Sequence, residues 1–404
     1  MKTNILKNIN TVTIIALITA LAVVNQAISL QTFNLGNLYY GVLIFTLLVT
    51  FFQSTIKRIS MTMAILYIAC ILSIILNDIP YEYQPWMRFI LFTIITIVAS
   101  PFIQSNFYDK FRVKLFKYIH FILIWVIIIS IQFIISGERG ITGFGGITNH
   151  SMLLSPISAV TLLTLLYLLF KGTYNRIIVI SLIIITFITL LLAASRVSLA
   201  GAIIAVIYFF YRLYSNNKRK FATIAASIII LMTLSYPLWG DYMEDIEKKN
   251  QAQITETGEI NYTGSRDVLW QQRIREFRSS PLVGVGFGYA EYVKDINERT
   301  GRITYKKTDS GVVEPGSSWL GALSMTGLLG FSALLVLWFK SLKNCLKVEK
   351  RDKLFGVYIG STLIFWAVHM IAEGQIFAAG SFLFFMVWLT FGAAYSAYNV
   401  AYKR

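Results

Sequence analysis

Residues Thr263–Gly288 read TGSRDVLWQQRIREFRSSPLVGVGFG and form the centre of a long polar segment, Gly240–Gly316. This segment is the only large water-soluble piece in a chain otherwise built of apolar runs. Thr263 or Ser265 can cap a helix that extends to about Ser279, because hydroxyl side chains favour the N-cap position. The stretch therefore predicts one polar helix, ended by a proline and followed by a glycine-rich turn.

One face of this predicted helix combines arginines with aromatic residues. Arg266, Trp270, Arg273 and Phe277 fall at positions i, i+4, i+7 and i+11, which lie on one helical stripe. An arginine that shares a face with tryptophan and phenylalanine points toward the protein or the membrane rather than toward water. We therefore interpret the helix as one wall of an active site that faces out of the cell. A basic helix that only rests on the membrane surface is the alternative.

Composition and the apolar runs around the polar segment indicate the fold class. A mean hydropathy of +0.64, with 56% hydrophobic and 14% charged residues, lies outside the range of ordinary soluble domains. Apolar stretches of roughly 17–25 residues, the length that a helix needs to cross a bilayer core, recur along the chain. The predicted spans are Thr11–Leu30, Asn37–Phe52, Ile59–Leu76, Trp86–Ile103, Ile119–Ile135, Met152–Phe170, Ile177–Leu192, Ser198–Tyr211, Phe221–Trp239, Trp319–Phe339, Phe355–Ala372 and Phe377–Ala397.

The expected fold is all-α, a polytopic integral membrane protein with about 12 transmembrane helices. Residues 1–239 are expected to hold spans 1 to 9, and residues 317–404 spans 10 to 12. Residues 240–316 between them form one large extracytoplasmic loop that carries the amphipathic helix.

The formal net charge of +16 follows the predicted topology rather than a surface for nucleic acid. With the N-terminus inside the cell, 22 of the 36 Lys and Arg residues fall in predicted cytoplasmic segments. Three lie in short outer loops, and the long loop holds the other 11. By the positive-inside rule both termini are expected in the cytoplasm, and no nucleic-acid partner is expected. Cys70 and Cys345 offer no disulfide framework.

Two other predicted outer segments carry polar candidates. The loop SGERGITGFGGITNHSM, Ser136–Met152, is rich in glycine and can approach a ligand closely, with Arg139 and His150 as its polar side chains. It lacks the strand and the lysine of a nucleotide-binding loop, and His150 is either a helix cap or a catalyst. The turn LLAASRVSLAGA holds Arg196 between two apolar runs. An arginine at membrane depth is a functional candidate, and snorkelling to lipid phosphates is the alternative.

Carboxylates and a second histidine follow toward the C-terminus. Glu314 lies just before the tenth predicted span, where it can act as a general base or complement the helix N-terminus. His369 and Glu373 lie four residues apart in HMIAEGQIF, so we expect them to share a helix face at the membrane mouth. Such a pair can move protons or bind sugar hydroxyls, and as a metal site it is weak because it supplies only two ligands.

Four segments together resemble the O-antigen polymerase and ligase superfamily. They are GITGFGGITNHSM, AASRVSLAGA, SRDVLWQQRIREFRSSPLVGVGFG and SSWLGALSMTGLLG, in the order and on the side of the membrane that this superfamily has. The resemblance implies a glycosyltransferase that needs no metal ion and no cofactor. It implies that the glycan is taken from an undecaprenyl pyrophosphate carrier at the outer face of the bacterial cytoplasmic (inner) membrane.

The resemblance also assigns roles to residues of this chain. Arg196 and Arg266 are expected to engage the carrier pyrophosphate, because guanidinium groups pair bidentately with phosphate oxygens and stabilise charge on a leaving group. Glu314 or Glu373 is expected to activate the acceptor hydroxyl. The further candidates for pyrophosphate or glycan binding are Arg273, Arg139, His150 and His369.

One departure from the superfamily favours a polymerase over a ligase. Ligases carry a histidine just before the tenth span, and this chain has Gly316 at that place. The expected function is therefore to join lipid-linked repeat units into O-antigen or a related surface polysaccharide of lipopolysaccharide biosynthesis. The alternatives are a ligase that transfers the glycan to lipid A core or protein, and a transporter or flippase for lipid-linked sugars. Membrane lipids and a chain-length regulator are the expected partners.

Overall fold

The computed structural model describes residues 11–28, 35–36, 38–55, 58–135, 143–148, 150–223, 226–227, 230, 233, 265–296, 303–307, 313 and 315–402. Apolar helices make up most of these residues. The helices are α1 (Thr11–Asn25), α2 (Leu38–Gln53), α3 (Met61–Ile75), α4 (Pro85–Ala99), α5 (Asn106–Ile135), α6 (Ser151–Lys171), α7 (Arg176–Leu192), α8 (Arg196–Leu213), α9 (Ser265–Ser279), α10 (Ser318–Val348), α11 (Lys353–Ala372) and α12 (Phe382–Tyr402).

Strands and single helical turns are short in the part of the chain that the structure describes. β1 (Arg58–Ile59) pairs antiparallel with β2 (Ile103–Gln104), and β3 (Tyr292–Ile296) with β4 (Ile303–Lys307). Two 3₁₀ turns cover Tyr81–Tyr83 and Gly146–Thr148.

Six of the described helices, α5, α6, α8, α10, α11 and α12, are long and apolar enough to cross a membrane. α1, α2, α3 and α7 are apolar but shorter. The prediction of an all-α, multi-pass membrane protein is confirmed at this level. The total of about twelve spans stays a prediction, since most of Phe221–Trp239 lies outside the described residues. The boundaries predicted at residues 239 and 316 also stay predictions.

The outward faces of the bundle are apolar, as a lipid environment requires. On α7, Ile177, Ile180, Ile184 and Ile188 recur at helical spacing and are 75%, 46%, 55% and 46% exposed. A soluble protein rarely exposes a continuous isoleucine stripe of this kind. The stripe therefore marks a surface that faces lipid.

Two helices extend beyond their predicted spans by more than two turns. α5 begins at Asn106 rather than near Ile119, so residues interpreted as a charged loop form its first turns. Arg112 in these turns is fully buried, and its guanidinium donates to the carbonyl oxygens of Val98 (3.1 Å) and Ile97 (2.9 Å) at the end of α4. The arginine satisfies carbonyls that a helix end leaves unpaired, which explains its burial. α10 likewise continues past Phe339 to Val348.

α10 is interrupted at Gly327, where φ is 61° and ψ is −164°. The segment that follows α9 fills the break with backbone hydrogen bonds. The amide of Leu328 donates to the carbonyl oxygen of Pro281 (2.8 Å), and the amide of Val285 donates to that of Ser324 (2.8 Å). These bonds satisfy polar groups that a broken helix exposes inside the bundle. The break therefore fixes the end of α9 against α10.

Glycine is required on both sides of this contact. A Cβ atom on Gly327 would overlap the backbone of Leu282, and one on Gly284 would overlap the backbone of Ser324 and Met325. Both glycines have positive φ, a conformation that other residues rarely adopt. The glycine-rich turn predicted from the sequence is present, and it serves helix packing here.

Candidate functional site

α9 has the length that the sequence predicts and presents a different face to the protein. It ends at Ser279, before Pro281. Its buried side chains are Leu269, Gln272, Arg273 and Glu276, at helical spacing. In the predicted stripe, Arg266, Trp270 and Phe277 are only half-buried. The stripe therefore lies at the edge of the buried face, because the polar side chains of Gln272 and Glu276 also turn inward.

The first turns of α9 are attached to the segment that precedes α10. The indole Nε1 of Trp270 donates to the carbonyl oxygen of Gly316 at 3.2 Å. Gly316 has φ of +65°, and a Cβ atom there would lie 2.7 Å from Cβ of Leu269. This close approach holds Arg266, one turn earlier, at the end of the bundle from which α10 begins.

Arg266 and Glu373 form an ion pair that joins α9 to the end of α11. Nη2 of Arg266 lies 2.8 Å from Oε1 of Glu373, and the two side chains are 23% and 22% exposed. The pair is therefore accessible to a ligand from solvent. Sequence reasoning named both residues as candidates, and the structure brings them into contact.

The backbone of Glu373 is held by the start of α10. The amide and the hydroxyl of Ser318 both donate to the carbonyl oxygen of Glu373, at 3.0 and 2.6 Å. The Ser318 hydroxyl also accepts from the amide of Gln375 at 2.8 Å. Gly374 packs on Pro315 so closely that a Cβ atom would lie 2.5 Å from its Cγ. The turn after α11 is thus fixed while the Glu373 side chain reaches Arg266.

His369 does not pair with Glu373 as the sequence predicts. α11 ends at Ala372, and Glu373 adopts an extended conformation that directs it away from the helix face. His369 is 1% exposed, and its Nε2 lies 3.0 Å from Oγ of Ser198. Its Nδ1 contacts the side-chain amide of Gln375. His369 therefore joins α11 to α8.

Arg196 lies at the first position of α8, two residues before Ser198, and is exposed. Ser195 caps this helix, and its hydroxyl oxygen accepts from the amide of Ser198 at 3.4 Å. Ala194 before the cap has a positive φ of 50°. The tight turn and the cap set the direction from which Arg196 leaves the helix. Both arginines are thus linked to the end of α11, since His369 contacts Ser198 on α8 and Glu373 contacts Arg266.

The glycine-rich loop lies against the turn that carries Arg196. The amide of Phe144 donates to the carbonyl oxygen of Leu192 at 3.0 Å, and a Cβ atom on Gly143 would lie 3.0 Å from the carbonyl oxygen of Ala193. His150, farther along, caps α6 through Nδ1, which accepts from the amide of Met152 at 3.2 Å. The capping interpretation of His150 is confirmed. Arg139 and Glu314 lie outside the described residues.

Arg273 takes a different place from Arg266. Its Nη2 lies 2.7 Å from Oε1 of Glu276, and both side chains have no exposed surface. Glu276 Oε1 also accepts from the amide of Glu291 at 3.1 Å. Burial lowers the pKa of Arg273 and raises the pKa of Glu276, which the positive charge of Arg273 in part offsets. Substrate binding by Arg273 stays a prediction, and its guanidinium here pairs with Glu276 inside the protein.

Two helix N-termini add positive potential at the same end of the bundle. α8 begins at Arg196 after its cap Ser195, and α10 begins at Ser318 after its cap Ser317, whose hydroxyl accepts from the amide of Leu320 at 3.3 Å. Helix N-termini favour anions through their dipoles. Together with the two arginines, they make this end suited to a phosphate group.

Sequence reasoning missed Ser198 and Gln375, which hold His369. Ser198 is 171 residues from His369 in sequence, and no local pattern signals such a contact. The one available signal was the dense run of small residues around Ser195, which favours close helix packing. Among the residues that the structure describes, no group of three or more His, Cys, Asp or Glu is placed to hold a metal ion. Metal independence itself stays a prediction.

Comparison with known proteins agrees with the resemblance noted from the sequence. A family model described as O-Antigen ligase matches residues 180–335, a range that includes Arg196, Arg266 and Arg273. No curated protein matches the chain. The matched range holds α8, α9 and the broken part of α10, and it ends before His369 and Glu373. The match over residues 180–335 thus confirms the resemblance and relates the chain to the O-antigen polymerase and ligase superfamily.

Proposed function

We propose that the protein is a polymerase that joins oligosaccharide repeat units carried on undecaprenyl pyrophosphate. The family match supports a function of the O-antigen ligase or polymerase type in general. The observation that carries the finer proposal is the accessible contact of Arg266 with Glu373, near the helix that Arg196 begins. This arrangement offers phosphate ligands and a carboxylate at one end of the bundle. We place that end at the outer face of the bacterial inner membrane.

The proposed reaction is a glycosyl transfer between two lipid-linked glycans. Arg196 and Arg266 hold the pyrophosphate of the donor and stabilise the negative charge that develops on it as it leaves. A sugar hydroxyl of the incoming repeat unit attacks the anomeric carbon of the donor. The bond between that carbon and the pyrophosphate oxygen breaks, and the hydroxyl proton passes to Glu373 or Glu314.

Gly316 supports a polymerase rather than a ligase. The ligases that this chain resembles carry a histidine at the corresponding place. Gly316 has positive φ, and a Cβ atom there would lie 2.7 Å from Leu269. A histidine at this position would displace α9, and this cost supports the polymerase proposal.

A ligase is the second candidate, because the matching family model carries that description. A transporter is less well supported. Transporters place ionisable groups near the middle of the membrane. Here Arg196, Arg266 and Glu373 lie where α8, α9 and α11 begin or end. The proposal also includes cytoplasmic termini, a chain-length regulator as partner and independence from metal ions.

A reconstituted reaction tests this function. Purified protein in lipid nanodiscs receives lipid-linked repeat units, and the products are separated by length. We expect a ladder of lengthening lipid-linked glycans, reduced by about 100-fold or more in Arg196→Ala and Arg266→Ala. Arg278→Ala is the matched control, since Arg278 is exposed on the same helix, and it should keep the ladder.

Three other results would contradict the proposal. A ladder that persists in both arginine variants would remove the assigned pyrophosphate site. Transfer of glycan to an added lipid A core acceptor, without any ladder, would establish the ligase. Movement of lipid-linked units across liposome membranes, with neither product formed, would establish transport.

A further inference from the structure

The contact between Arg266 and Glu373 creates a conflict between their two proposed roles. A guanidinium that pairs with a carboxylate has part of its donor fork occupied, so it is less available to phosphate. A carboxylate that accepts from a guanidinium is a poorer proton acceptor than a free one. With Nη2 and Oε1 at 2.8 Å, neither residue is ready for its own task while the two are paired.

We propose that this pair is an exchange switch, an inference that rests on the proposed function. In the substrate-free protein Glu373 holds Arg266. The pyrophosphate of the donor takes the guanidinium from Glu373, and the released carboxylate then accepts the proton of the acceptor hydroxyl. Donor binding thereby activates the base, and the acceptor is deprotonated only after the donor is in place.

The surroundings of the pair allow such an exchange without a change of fold. Both side chains are about one-fifth exposed, so separating them does not strand a charge in an apolar interior. Ion pairs in this setting are weak because water competes for both partners. A pyrophosphate carries more negative charge than a carboxylate and offers bidentate sites, so it is the stronger partner for arginine.

The backbones on both sides are held independently of the pair. Ser318 binds the carbonyl oxygen of Glu373 through its amide and its hydroxyl, at 3.0 and 2.6 Å. Trp270 attaches the first turns of α9 to Gly316 at 3.2 Å. Only the side chains of Arg266 and Glu373 therefore need to rotate. The Arg273–Glu276 pair on the same helix differs, since it has no exposed surface and cannot exchange with a ligand.

The substitution Glu373→Gln separates the two consequences of the switch. It removes the competitor for Arg266 and also removes the base, while the side chain keeps its size. We expect undecaprenyl pyrophosphate without glycan to bind roughly threefold more tightly, which is the strength of a partly exposed ion pair. We expect the kcat of polymerisation to fall by about 100-fold or more, as for loss of a general base.

Glu349→Gln is the matched control. Glu349 pairs with Arg212 at 2.6 Å, away from the turn after α11: Arg212 lies at the end of α8, and Glu349 directly follows α10. Its neutralisation should change neither the Kd for undecaprenyl pyrophosphate nor kcat. A second control is the double variant Arg266→Ala/Glu373→Gln. It should bind no more tightly than Arg266→Ala alone, because the exchange needs Arg266.

Each outcome decides the inference. A Kd that rises or stays unchanged in Glu373→Gln would show that Glu373 only positions Arg266, and the switch would be wrong. A gain that persists without Arg266 would reflect general repulsion instead of exchange and would also overturn it. An unchanged kcat would remove the base role. Failure of the proposed function is distinct, since the wild-type protein would then bind no undecaprenyl pyrophosphate or form no ladder.

Discussion

The buried pair of Arg273 and Glu276 allows a quantitative test of how α9 is held. Arg273→Met removes the ion-pair partner of Glu276 and leaves that carboxylate among groups without exposed surface. The loss of one partner of a buried pair costs about 3–5 kcal/mol. A glutamate can avoid its charge by taking up a proton, which at about pH 8 costs about 5 kcal/mol from an ordinary pKa near 4.3. Both magnitudes predict a large decrease in the free energy of unfolding at alkaline pH.

The loss should depend on pH, and its sign follows from the pKa shift. Burial raises the pKa of Glu276, and the positive charge of Arg273 lowers it. Removing that charge therefore raises the pKa of Glu276 further. When the pKa of a carboxyl group is higher in the folded than in the unfolded protein, its contribution to stability is present at pH values below the unfolded-state pKa. That contribution is lost as the pH rises through the folded-state pKa. Arg273→Met should therefore be closest to wild type near pH 5. It should lose up to about 1.4 kcal/mol per pH unit above that.

Thermal unfolding of the purified protein, followed by tryptophan fluorescence at pH 5, 6.5 and 8, measures this loss, and Trp270 reports from the same helix. The double variant Arg273→Met/Glu276→Gln should recover most of the stability at pH 8. It buries no charge, and the glutamine that replaces Glu276 can still accept from the Glu291 amide. Arg278→Met on the exposed face should have no effect. A loss below about 1 kcal/mol at pH 8, or a loss equal at pH 5 and 8, would refute the reasoning.

Two further predictions concern backbone and capping. Gly327→Ala should destabilise the protein by about 1–3 kcal/mol through backbone strain and overlap with Leu282. Gly41→Ala on α2, where nothing lies within 4 Å, should be neutral or slightly stabilising, and equal melting temperatures for the two variants would disprove the packing role of Gly327. His150→Ala should lose about 1 kcal/mol as a lost cap, which His150→Asn should restore. If His150→Asn folds normally but has lost polymerisation, His150 binds substrate as well.

The elements that sequence patterns predict well are the local ones. The apolar runs specify helices because a lipid-facing segment must satisfy its backbone internally, and this needs no knowledge of distant residues. Ser279 as the last residue of α9 and Pro281 as its stop both follow from neighbours in the chain. The early start of α5 was missed, because Arg112 becomes acceptable in a buried position only through the carbonyls of α4.

The arrangement of the site depends on contacts that local patterns do not contain. Arg266 and Glu373 are 107 residues apart, and their contact depends on how α9 docks. The i, i+4 spacing of His369 and Glu373 suggested a pair because it assumes that the helix continues. α11 ends at Ala372, so the spacing no longer places the two side chains together. Candidate residues could thus be found from sequence, whereas their pairing could not.

The docking of α9 explains why a broken helix belongs to this site. α9 is attached at its first turns through Trp270 and in its last turn through Glu276, and the segment after it is attached through the bonds that fill the gap at Gly327. A continuous α10 would offer no free backbone groups to the segment after Pro281, and α9 would be held by side chains alone. The interruption in α10 therefore positions Arg266 without contacting any ligand. The family match to residues 180–335 covers all three of these attachments together with Arg196 and Arg266.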